Sequence, residues 1–109
     1  MATNNIANVT NILEELLEGL DQAYWEATSI DRKDFFYDII SALHLELSEL
    51  NKLSVQDHDL EYEPITKEFR SARTKLSRLR RQLEEYVVRS TTSMRLEILI
   101  HDAVALPAR

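Results

Sequence analysis

The side chains of this sequence best suited to chemistry are carboxylates. Glu14, Glu15 and Glu18 read Glu-Glu-x-x-Glu, and Glu46-x-x-Glu49 follows after 27 intervening residues. Carboxylates stepping by three and four along a helix can converge with others from a neighbouring helix. Mg²⁺ asks for such a set, because it takes hard oxygen ligands and shares them with substrate phosphate. The three histidines, His44, His58 and His101, are scattered. Asp57-His58-Asp59 offers mixed donors, but three adjacent residues in a loop rarely converge on one ion, so a solvated loop is expected there. With no cysteine, disulfides, thiolate catalysis and zinc–thiolate sites are excluded. Gly19 is the single glycine, and one glycine cannot build a phosphate-cradling loop.

The two glutamate groups resemble the signature of the all-α nucleoside triphosphate pyrophosphatases. That resemblance covers five residues and implies Glu14, Glu15, Glu18, Glu46 and Glu49 as Mg²⁺ ligands of a nucleotide pyrophosphatase. The family's final aspartate is Glu49 here. At 100° per residue, Glu14, Glu15 and Glu18 fall opposite the Ile6/Val9/Leu13/Leu16 stripe, so they are expected on a solvated face with no metal bound. His44, on a helix, suggests phosphotransfer. The histidine phosphotransfer domains place a lysine and a glycine after their histidine, however, whereas Leu45-Glu46-Leu47-Ser48 follows here.

A second candidate is the basic run Lys67, Arg70, Arg73, Lys75, Arg78, Arg80 and Arg81. A basic helix can track nucleic-acid phosphates. These residues occupy nearly the whole polar circumference of their helix, not one stripe, and the sequence pI is about 5.0. Nucleic acid is therefore not the expected partner. The charge is divided along the chain. Residues 1–63 hold 14 acidic and three basic side chains, and residues 64–109 hold five and ten, which gives −11 and +5. The halves should attract, with the basic third helix neutralising the acidic first and second.

The elements that would position these groups are helices. One glycine and two prolines in 109 residues leave too few turn signals for a sheet. Ile6, Val9, Leu13, Leu16, Leu20 and Tyr24 set one helical face over residues 4–28. Ser29 or Asp31 caps a second helix running to about residue 53, with Phe36, Ile40, Leu43, Leu47 and Leu50 on its face. Residues 54–63 read as an acidic loop, and Pro64 fits the first turn of a third helix. Ile65, Phe69, Ala72, Leu76, Leu79, Leu83 and Tyr86 then form a coiled-coil-like seam. The last segment is ambiguous. Met94, Leu96, Ile98 and Ile100 alternate as in a strand, while Leu96, Leu99, Ile100 and Ala103 share a helical face. With no second strand to pair it, a shorter fourth helix over residues 92–105 is expected, stopped before Pro107. One long third helix reaching residue 105 is the rival.

The expected fold is all-α: a single domain over residues 1–109, an antiparallel helical bundle of three long helices plus a shorter C-terminal helix. No apolar run approaches the roughly 20 residues a membrane span needs, and the N-terminus carries no signal-peptide pattern, so a cytoplasmic protein is expected. The function expected first is a non-enzymatic adaptor, regulatory or structural subunit. It would need no cofactor, pair with itself and engage a protein partner that the sequence does not identify. The homodimer is expected because one small bundle has more apolar residues than stripes to hold them: Trp25, Phe35, Tyr37 and Leu45 lie off the main faces, and Leu96, Ile98, Leu99 and Ile100 crowd five positions. Trp25, Leu96, Ile98, Leu99 and Ile100 are the expected interface.

Overall fold

The computed structural model describes residues 5–53, 55–87 and 89–106; the side chains of residues 55, 58 and 84 are not among them. The proposed stop at Pro107 and the His58 side chain thus lie outside the described residues.

Three of the four longer helices begin where a short polar side chain can accept from a free first-turn amide. Asn5 Oδ1 accepts from the Asn8 N–H at 2.8 Å and opens α1, Ile6–Glu26. Of the two caps considered for α2, Ile30–Asn51, Ser29 is the one used; its hydroxyl accepts from the Arg32 N–H at 3.3 Å. Thr66 caps α3, Lys67–Arg81, through the Phe69 N–H at 3.1 Å. Pro64 therefore precedes this helix by three residues instead of sitting in its first turn. Its carbonyl accepts from Arg70 at 2.6 Å. Ile65, placed in the seam by spacing, is correspondingly exposed.

The third helical stretch is not continuous. Gln82, at φ −126° and ψ 29°, separates α3 from the single turn α4, Leu83–Tyr86. Val87 and Arg89 are extended, and α5, Ser90–Val104, runs back along the bundle. The last segment is thus a helix, two residues earlier in start than its sequence suggests. Neither a strand nor a continuation of the third helix is found there. The chain between α2 and α3 holds a 3₁₀ helix, Val55–Asp59. It is pinned across the start of α1 by the Ile6 N–H donating to the Leu60 carbonyl at 3.0 Å.

Contacts across helix pairs give the topology. Lys75 meets Asp38 at 3.0 Å, and the start of α3 meets Glu46 near the end of α2, so α2 and α3 are antiparallel. Arg95 meets Glu18 at 3.2 Å while Thr92 meets Glu26 at 3.0 Å, so α1 and α5 are antiparallel too. The three-residue turn at 27–29 makes α1 and α2 antiparallel neighbours. Around the bundle the order is α1, α2, α3, α5, with α1 and α3 on one diagonal. The core runs down the middle, through Leu13, Leu16 and Leu20 of α1, Phe36 and Leu43 of α2, Phe69 and Leu76 of α3 and Leu96 and Ile100 of α5. Burying each such side chain stabilises by about 1.5–3 kcal/mol relative to leaving it in water.

Gly19 of α1 faces Leu96 and Leu99 of α5. A Cβ there would lie 3.0 Å from Leu96 Cδ2 and 3.3 Å from Leu99 Cδ1.

Candidate functional site

The carboxylates singled out by their spacing do not form one group. Glu46 lies on α2 one helical step from Leu43 and Leu50, in the register of the apolar face, and it is completely buried. Its carboxylate accepts four hydrogen bonds. Oε2 takes the Tyr62 hydroxyl at 2.5 Å and the Ile65 N–H at 2.9 Å; Oε1 takes the Thr66 N–H and the Thr66 hydroxyl, both at 2.8 Å. A carboxylate so engaged sits against the start of α3, where the helix dipole and the unpaired amides favour negative charge. Burial is the larger cause that pushes the Tyr62 phenol far above its ordinary value; the hydrogen bond to Glu46 and the charge of that carboxylate act in the same direction.

Glu14, Glu15 and Glu18 lie on the exposed side of α1, and Glu18 is paired with Arg95. Glu49 pairs with Lys52 at 2.6 Å. Glu14, Glu18 and Asp21 line an open groove between α1 and α2 with His44, Ser48 and Asn51. Among the described residues, no group of three or more His, Asp or Glu side chains is placed to hold a metal ion. The five glutamates of the pyrophosphatase resemblance are therefore divided between a buried helix anchor and solvated helix faces.

The basic run is divided as well. Arg73 donates to the Val104 and Leu106 carbonyls at 2.7 and 2.5 Å, closing the C-terminal end of α5. Burial pushes its guanidinium down from its ordinary value. Arg70 closes on Pro64 and Lys75 on Asp38, whereas Arg78, Arg80 and Arg81 are exposed. The attraction between the halves is visible in Asp38–Lys75 and Glu18–Arg95. The expectation that the basic third helix neutralises α1 meets a geometric obstacle, because α3 packs against α2 and α5 with α1 across the diagonal.

The apolar candidates separate into two sets. Leu96, Leu99 and Ile100, expected at an interface, are buried in the chain's own core, because α5 turns that face to α1 and α3. A partner cannot reach them while the bundle is folded. Trp25 and Ile98 are 73% and 66% exposed, and Met94, one turn before Ile98, is 68% exposed. Trp25 sits edge-on to Tyr24, with ring centroids 5.4 Å apart, and below Lys33, yet keeps most of its surface in solvent.

Two residues of structural weight escape a reading by periodicity. Tyr62 stands in an acidic stretch with no repeat, and it is completely buried. A lone aromatic between Glu61 and Glu63 was its signal. For Glu46 the signal was its place on the apolar face of α2, where an acid needs buried donors. The chain matches no family model, no curated protein and no solved structure.

Proposed function

We infer that this protein is a non-enzymatic interaction module: a helical bundle that pairs with a second copy of itself and serves as an adaptor, regulatory or structural subunit. The observation that supports this reading best is the outer face of α5. Met94 and Ile98 lie one helical turn apart, both about two-thirds exposed, on a helix whose other leucine and isoleucine side chains are buried. Adjacent large apolar groups on a surface mark sites of association. Trp25 adds an amphipathic aromatic, the residue type most enriched among energetic anchors of interfaces. The carboxylates that could have served a metal are engaged elsewhere or dispersed.

The homodimer is the simplest closed assembly for such a surface. Light scattering on a sizing column tests it through two variants. Ile98→Asp should convert the dimer to monomer without loss of helical signal, since Ile98 packs little within the chain, and Trp25→Ala should weaken the dimer. A dimer untouched by both changes removes this surface from the interface. No helix of the described residues is long and apolar enough to cross a membrane.

A further inference from the structure

We propose that the homodimer forms through the outer face of α5 with the two-fold axis running along that helix, so that α5 of each copy lies parallel to its partner. The proposal rests on the self-association inferred above and adds its geometry.

The face has a central apolar line and two flanks of opposite charge. Met94 and Ile98 form the line. On one side stands α1. Its Glu18 reaches Arg95 of α5 at 3.2 Å, and Glu15, one turn earlier and exposed, is on the side of α1 that Gly19 turns toward α5. The two glutamates outweigh Arg95 there. On the other side a groove of about 780 Å³ separates α5 from the end of α3, lined by Arg80, Arg81, Ser93, Met94 and Glu97. Glu85 also lines it, but lies 4.0 Å from Arg32. The two arginines outweigh Glu97.

A two-fold axis lying in the contact plane has two natural directions. Along α5, it exchanges the flanks, so the acidic flank of each copy faces the arginine flank of the other. Across α5, it keeps each flank on its own side, so acid meets acid and arginine meets arginine. Like-charge juxtaposition opposes association, and opposite charge favours it. The charge pattern thus selects the parallel arrangement, and a second copy supplies both complements at once.

The absence of cysteine makes the geometry directly readable. With the axis along α5, each residue of the central line faces its own counterpart. Met94→Cys and Ile98→Cys, each alone, should form an intermolecular disulfide under mild oxidation, whereas mixing the two variants should add no disulfide between positions 94 and 98. Arg80→Glu with Arg81→Glu should weaken the dimer about tenfold at low salt. Mixing that variant with Glu15→Lys/Glu18→Lys should restore association, because both contacts are then again between opposite charges. A wild type that is monomeric at tens of micromolar defeats the self-association reading itself. A dimer that gives a 94–98 disulfide in place of the self-paired ones, or that ignores the charge reversals, leaves that reading standing and overturns this geometry.

Discussion

Glu46 is a completely buried acid that accepts four hydrogen bonds. Its carboxylate joins three parts of the chain: α2, the connection at Tyr62 and the first residues of α3. Removing it leaves the Tyr62 and Thr66 hydroxyls and two amides without their acceptor, and each such loss where the group is buried costs about 1–3 kcal/mol. Glu46→Ala should therefore destabilise the fold by at least about 3 kcal/mol, and Glu46→Gln by less, because the amide oxygen retains part of the network. Denaturant unfolding of both variants checks the order; an alanine variant as stable as wild type removes the anchor role. Tyr62 gives a test in alkali. Its phenol is raised in the fold above the ordinary value of 10.0, so the folded state holds a proton that the unfolded state releases. That stability is present in full below about pH 10 and is lost as pH rises beyond it. The chain has four tyrosines. Ultraviolet titration should show that Tyr62 ionises only as the helical signal collapses, and Tyr62→Phe should remove that coupled step. A phenolate at every tyrosine in a still-folded protein would contradict the burial.

Among the elements, α1 packs tightly on α5 at Gly19. Alanine there gains helix propensity of about 1 kcal/mol but presses on Leu96 and Leu99, whose methyl ends can give a little. Gly19→Ala should stay within about 1 kcal/mol of wild type, while Gly19→Val should lose about 1–3 kcal/mol through overpacking. Thermal unfolding of the pair separates the two; equal stability would mean that the helices do not approach as described. The helices themselves were readable in the sequence because their faces follow a 3.6-residue period: Val9, Leu13, Leu16 and Leu20 are all buried, as are Phe36, Leu43 and Leu50. The break at Gln82 was not readable. No proline or glycine marks it, and local spacing continues through Leu83. It exists because α5 must return antiparallel to α3 within a few residues, a demand set by tertiary packing. The start of α3 was misplaced for a related reason. Pro64 permits a helix start, but Thr66 has both the capping hydroxyl and the Glu46 carboxylate to hold it.

At the scale of the whole molecule, charge and apolar surface are distributed by which helices are neighbours. The sequence shows that the halves differ in sign. It does not show that the basic α3 lies diagonal to the acidic α1, with α5 between them on one side of the bundle. That placement gives α5 its unlike flanks. It also turns Leu96, Leu99 and Ile100 inward while leaving Met94 and Ile98 in solvent. Counting apolar residues along the chain could not distinguish these, since all five sit within seven positions. Self-association is decided by sedimentation equilibrium over a range reaching tens of micromolar. The expected mass is twice 12.7 kDa, falling toward the single-chain value on dilution. A mass that stays at 12.7 kDa across that range would contradict it.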